Sequence, residues 1–300
     1  MIVACGYEQR ATFLVGQFDG VAERTIVLDY KSIDLYSYEA NRMLLEGVPA
    51  ADWVDLNSPR AEHDIAVLIE RIATEVDNCS PFRILFDVSS CSRSTMANVL
   101  TALAFRAKRD VNLTCAYAVS AYFAPPDGEL PSRVSQPVVG ELSGWSSDLS
   151  KPPCAIIGLG FEPGRALGSI DYLEVPEVRL FVPEGPDPRF HDAVVEANRL
   201  LIEEAGASLS SYDVLDPLDA FQKLESMILG LLPRYRPIII PLGPKIFAAL
   251  SMLIAVRLLP QVCVWRTSAG SGEDTADRMA GGEVAVFNYV MRAVDHSSER

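Results

Sequence analysis

The chain is poor in histidine, in positive charge and in long apolar runs, and each shortage removes a class of function. Its three histidines, His63, His191 and His296, are scattered and stand at no metal-ligand spacing. The six cysteines, Cys5, Cys79, Cys91, Cys115, Cys154 and Cys263, form no CxxC pair and mostly sit in apolar, strand-like stretches. Reduced, buried thiols are expected from that pattern, rather than a zinc site. Lysine and arginine total 26 against 40 aspartates and glutamates, a net charge of -14. Such a surface repels bare phosphate backbone, so non-specific nucleic-acid binding is not expected, although a small anion can still enter a local basic pocket. The longest apolar run, Ile246 to Val256, is about half the length of a membrane span and reads as a buried helix. The opening MIVACGYEQRA lacks the basic start and long apolar core of a secretory signal. No membrane is expected as a partner, and the expected location is cytoplasmic. Neither a Walker A loop nor a GxGxxG fingerprint occurs, so ATP hydrolysis and NAD binding lack support and no cofactor is expected.

What is present is a chain rich enough in apolar residues, 49% against 22% charged, to fold as a soluble globular protein. Its 300 residues suffice for one large domain or two ordinary ones. A repeat favours two. EANRLLIEE at Glu196 lies 157 residues after EANRMLLEG at Glu39. Gly160, Phe161 and Glu162 follow Gly6, Tyr7 and Glu8 at 154 residues, and Arg165 matches Arg10 after a one-residue insertion. RTIVLDY pairs with VRLFVPEG, each an apolar run ending in an acid, Asp29 or Glu184. FRILFDVSSCSRSTMANVLTALA faces YRPIIIPLGPKIFAALSMLIAV, and CAYAVSAY faces CVWRTSAG. Matches in one order, drifting only at loops, indicate internal duplication.

Each copy alternates short β-branched runs with helical stretches. That order predicts an α/β fold of two tandem Rossmann-like units with parallel sheets, related by a pseudo-two-fold. Strands such as RILFDV and PIIIPL are apolar on both faces, as in sheets covered by helices on each side. The expected boundaries are a first unit over 1–123, a linker over 124–153 and a second unit with a C-terminal tail over 154–300. The linker is rich in Pro, Ser and Gly, with a short strand expected at QPVVGEL; the tail's EVAVFNYVMRAV reads as a strand or a helix.

Parallel α/β sheets bind ligands outside the carboxyl ends of their strands. The first such loop carries Gly6, Tyr7, Glu8 and Arg10 in one copy and Gly160, Phe161, Glu162 and Arg165 in the other. The arginines can hold phosphate or carboxylate in a two-pronged way, or can close the loop through an internal Glu–Arg pair. The fourth loop is Asp87-Val88-Ser89-Ser90-Cys91-Ser92-Arg93, matched by Pro241-Leu242-Gly243-Pro244-Lys245. Small hydroxyl residues and backbone N–H groups opening a helix suit an anion, with Arg93 and Lys245 adding charge. The plainer reading is a Ser N-cap and a Gly-Pro turn. At the fifth strand ends stand Ser120 and Tyr122, and Trp265, Arg266 and Ser268, as base-stacking groups or as packing. Asp29, Lys31, Glu184 and Arg189 stand at the second strand ends. Asn41, Arg42, Asn198 and Arg199 are expected to anchor their helix to its neighbour or to the partner unit. Catalysis has thin support: Cys91 opens a helix, but no histidine stands at a partner spacing.

The stretches FDVSSCSRSTMANVL and IPLGPKIFAALSML resemble the ligand loop of CARF and SAVED domains. Those are Rossmann-like sensors of cyclic or linear oligonucleotide signals in prokaryotic antiviral defence, and a SAVED domain is two fused CARF-like units. Their loops favour a Gly-Gly-Thr-Lys type sequence, which neither half carries. The resemblance implies ligand contacts at Ser89, Ser90, Arg93, Gly243 and Lys245. It also implies a nucleotide or oligonucleotide signal, with output through a separate effector protein or degradation of the signal by the chain itself; the paired basic loops put the expected ligand in the cleft between the units. Two alternatives stay open: an enzyme on a nucleotide or sugar phosphate, with Glu8 or Glu162 as acid or base, and a ligand-free adaptor subunit.

Overall fold

The computed structural model describes residues 1–18, 20, 22–77, 80–125, 134–144, 148–205, 209–268 and 275–293. The apolar runs become strands and the amphipathic stretches become helices, alternating through the core of each unit. The first unit runs β1 (Ile2–Cys5), α1 (Phe13–Gln17), β2 (Thr25–Asp29), α2 (Tyr38–Glu46) and β3 (Ala51–Asp55). It continues through α3 (Ala61–Glu75), β4 (Phe82–Asp87), α4 (Arg93–Phe105) and β5 (Val111–Ser120). After β6 (Val134–Pro137) the plan repeats as β7 (Pro153–Gly158), α5 (Arg165–Leu173), β8 (Glu177–Glu184), α6 (Pro188–Ala197) and α7 (Arg199–Ala205). Then come β9 (Leu209–Asp213), α8 (Pro217–Leu231), β10 (Arg236–Pro241), α9 (Lys245–Arg257) and β11 (Cys263–Ser268), and finally β12 (Ala280–Met291).

Both sheets have six strands, in the orders β12-β5-β4-β1-β2-β3 and β6-β11-β10-β7-β8-β9. In each, five strands are parallel and the sixth is antiparallel. The parallel five follow the doubly wound order, in which the chain starts at the centre and reverses direction once, so the first and fourth loops meet at the switch point. The run Ile246 to Ala255 is buried throughout in α9, as its unbroken apolar sequence requires. Among the described residues no helix is long and apolar enough to cross a membrane.

The sixth strands redraw the expected boundaries. β6 lies inside the expected linker and pairs antiparallel with β11, Arg266 facing Gln136. β12, expected as a tail of the second unit, pairs with β5 of the first from Ser120 to Val111. The compact units are therefore Met1–Ser120 with Ala276–Arg300, and Ala121–Thr275. The reason is local. EVAVFNYVM alternates buried Ala285, Phe287 and Met291 with exposed neighbours, as a half-covered strand does. Such a strand joins whichever open ladder it reaches, and sequence adjacency does not decide which.

The repeated Glu-Ala-Asn-Arg string has a physical explanation. Asn41 is buried, and its Nδ2 donates to Gly6 O at 2.9 Å and Glu8 O at 2.8 Å. Asn198 is buried too, and its Nδ2 donates to Gly160 O at 2.8 Å. In each unit one amide ties a helix to the loop leaving the central strand. The neighbouring arginines play no part in that tie. Arg42 pairs with Glu46 at 2.9 Å and Arg199 with Glu203 at 3.5 Å, all on the surface. The string is one helix in the first unit only. In the second, Asn198 Nδ2 also donates to Val194 O at 2.8 Å, the residue leaves helical geometry, and the helix divides into α6 and α7.

Asn41→Ala removes the amide donor from Gly6 O and Glu8 O, of which Glu8 O keeps Ala11 N at 3.0 Å, and is expected to cost about 1–3 kcal/mol. Thermal unfolding checks this, with Asn198→Ala shifting the melting point in the same direction and Arg42→Ala staying within about 0.5 kcal/mol of the parent.

Candidate functional site

In the first unit the carboxyl ends of β1 and β4 carry a buried polar network. Glu8 and Arg10 are only 6% and 2% exposed. Arg10 Nε donates to Glu8 Oε2 at 2.7 Å, and Nη1 donates to Ala118 O at 3.0 Å and Tyr117 Oη at 3.4 Å. Its guanidinium lies 5.5 Å from the Tyr117 ring centre. Burial works against the Arg10 charge, but Glu8 and Tyr117 outweigh it and hold the pKa above its ordinary value. Glu8 Oε1 meets Arg278 Nη1 at 3.4 Å, and Ser90 Oγ donates to Glu8 Oε2 at 3.4 Å. Arg10 N also donates to Arg278 O at 3.1 Å, and Gln9 N to Asp277 Oδ1 at 2.7 Å. The sequence brings Glu8, Arg10 and Ser90 together, as expected, but mainly with one another. Tyr7 is half-buried, 6.0 Å from the Tyr36 ring.

The fourth loop of this unit is also internally bonded. Ser89 is fully buried; its N–H donates to Asp87 Oδ1 at 2.9 Å and its Oγ accepts from Ala118 N at 2.8 Å. Ser92 caps α4 through Thr95 N at 3.1 Å, and its own N–H donates to Tyr30 Oη at 2.6 Å. Burial raises the Tyr30 pKa, so the phenol stays neutral. Arg93, half-buried, is the first residue of α4. Cys91 is fully buried, and its Sγ lies 3.6 Å from Asp87 O, which leaves no exposed thiol to act as a nucleophile there.

The second unit is built differently at the same place. Its loops after β7 and β10 pack backbone on backbone. A Cβ on Gly243 would fall 2.3 Å from Leu159 O, and one on Gly160 would fall 2.4 Å from Glu162 Oε2. Leu242 N and Gly243 N both donate to Gly158 O, at 2.8 and 2.9 Å. Gly243 therefore serves close approach, and its N–H is already used. Arg165 is buried at the start of α5, while Glu162 and Phe161 are half-buried. Phe161 joins a cluster with Phe123 at 5.2 Å and Phe190 at 6.0 Å, and Tyr122 lies 5.1 Å from Phe190. Arg189 stacks 4.3 Å over Tyr122.

In this unit α9 opens directly after β10. No side chain caps that helix, because its N-cap is Pro244, and Lys245 is its first residue. Strand alternation sets Arg266 on the α9 face of the sheet. Thr267 points the other way, to Ser169 of α5 at 3.0 Å, and Trp265 packs with the core on that same side. Gly158, on the α9 face, touches Phe247. Arg266 Nε is buried without a hydrogen-bond partner.

Sequence reasoning missed Arg278 and Asp277, which reach the first-unit network from the far end of the chain, and Phe190 and Phe123 in the aromatic cluster. Only the return of the C-terminal strand places the first pair. No group of His, Cys, Asp and Glu among the described residues is arranged to hold a metal. No family model and no curated protein matches the chain.

Burial, joined at Cys5 by the Asp29 charge, pushes Cys5, Cys115 and Cys263 up to about 12 and Cys154 to about 11. These thiols hold their protons at pH 8, so alkylation of the native protein is expected to leave them unmodified until denaturant is added, as read by mass spectrometry. Gly243→Ala forces Leu159 and the β7 loop apart and is expected to lower the melting temperature. An unchanged value would show that the loop yields without cost.

Proposed function

We propose that the chain is a nucleotide-signal-binding module that takes its anionic ligand at the carboxyl end of the second unit's sheet. The observation that supports this most is Arg266. A buried guanidinium nitrogen without a partner is expensive, and an anion supplies the missing acceptor. The uncapped start of α9 and Lys245 stand on the same face of the sheet and favour negative charge as well. The aromatic cluster around Phe161 gives the same end of the sheet flat apolar surface, of the kind a base stacks on. The likeness of the two fourth loops to CARF and SAVED ligand loops narrows the class to nucleotide or oligonucleotide signals, with output through a separate effector protein in a prokaryotic defence or regulatory system.

The enzymatic alternative draws less support. Glu8 is held by Arg10, Arg278 and Ser90, so its carboxylate is placed as a structural anion rather than as a poised base.

A thermal-shift screen over mononucleotides, dinucleotides and cyclic di-, tri- and tetranucleotides tests the proposal. A ligand at a hundredfold its Kd stabilises by about 2.7 kcal/mol. For a chain of this size the expected shift is about 5 °C or more. Arg266→Ala and Lys245→Ala should abolish or weaken it, while Arg93→Ala, in the first unit, should retain it. A panel without any shift, or a shift that survives Arg266→Ala, removes the proposal's main support.

A further inference from the structure

Four strands lie at sheet edges: β3 and β12 in the first unit, β6 and β9 in the second. An edge strand presents a row of unpaired N–H and C=O groups, and folded chains blunt it with shortness, charge, proline or a covering side chain. Three of the four carry such a device. β3 has five residues, two of them aspartates, Asp52 and Asp55, ion-paired to Arg24, Arg71 and Lys31. β6 has four residues and ends in Pro137. β9 has five, and Lys223 Nζ donates to its Ser211 O at 3.1 Å.

Among the described residues β12 carries none of these. It runs for twelve residues without lysine, arginine or proline. Its one charge, Glu283, falls in the irregular stretch between Ala280 and Val284. From Val284 to Met291 it follows β5 in unbroken register. On one face of that stretch Ala285, Phe287 and Met291 are buried; on the other, Val286 and Val290 are 46% and 48% exposed, with exposed Asn288 between them. A long, regular, apolar edge left in this state is a template for another strand.

We propose that β12 pairs antiparallel with β12 of a second copy of this chain, about a two-fold axis through Asn288 and normal to the sheet. The strand itself fixes that register. Directly opposite residues of an antiparallel pair share a face, so the axis passes through a residue and not between two. Centred on Asn288, it sets each exposed valine against the other, Val286 opposite Val290 of the second copy and the reverse. Phe287 meets Tyr289, and Asn288 meets itself, amide to amide. A shift of the axis by one residue either way sets Asn288 against Val286 or Val290. The self-complementary register covers both valines and joins the two sheets into one, an isologous contact that closes at two copies.

Light scattering after size exclusion, on the full chain from micromolar to submillimolar concentration, is expected to show a concentration-dependent dimer. Val286→Glu with Val290→Glu sets like charges opposite each other and should give a monomer with unchanged far-UV circular dichroism. Val286→Lys with Val290→Lys should do the same, and mixing the two double variants should restore a dimer, because every glutamate then faces a lysine. Under mild oxidation, with the parent chain as control, Asn288→Cys should cross-link to itself. Val286→Cys should not, since its two copies lie four residues, about 13 Å, apart along the ladder. A parent chain that stays monomeric, a dimer that survives both charge variants, or cross-linking at Val286→Cys and not at Asn288→Cys would each overturn the proposal. If the glutamate variant loses its fold, the Asn288→Cys cross-link decides alone.

Discussion

One amide in each unit sets the geometry on which the strand ends depend. The loop leaving a central parallel strand exposes carbonyl groups where the ladder has stopped, and burying them unpaired is costly. Asn41 and Asn198 satisfy these carbonyls from a helix that packs beside the strand. With the first loop fixed in this way, the fourth loop can lie against it. In the second unit that approach is close enough to demand glycine at Gly243. In the first, Gly6 has more room, with Ser90 as its nearest neighbour at 3.8 Å. The residues that recur between the halves are thus first of all those that build the end of a sheet.

On this shared frame the two units carry different polar groups. The first fills its strand ends with groups that answer one another. Glu8 stands between two arginines, Ser89 holds the next strand, and Ser92 caps its helix. The second keeps close-packed glycine loops, an uncapped helix and an arginine nitrogen without an acceptor. Duplication preserves the scaffold because packing constrains it everywhere. Side chains at the rim are constrained only by what they touch, so they differ between the two copies.

Much of this was legible in the sequence because it rests on local physics. The alternation of β-branched runs with amphipathic stretches predicted two parallel α/β units, and Asn41 and Asn198 marked equivalent places. The internal Glu8–Arg10 pair was one of two readings open for the first loop, and geometry realises it. The break of the second helix at Asn198 was hidden, since the same string continues as a helix in the first unit. Hidden too were Arg278 and Asp277, whose partners lie at the other end of the chain. Long-range pairing of an edge strand leaves no signature beyond its alternating pattern, so the boundary drawn by contiguity fell in the wrong place.

The return of β12 to the first sheet also has a consequence in time. A ribosome delivers Ala121–Thr275 in full before Ala280–Met291 emerges, so the second unit has all its strands while the first still lacks one. The first sheet waits with the β5 ladder open throughout the synthesis of its sibling. The earlier of the two units is the later to be completed, and a pause in translation between Thr275 and Met291 leaves that unit, not its sibling, unfinished.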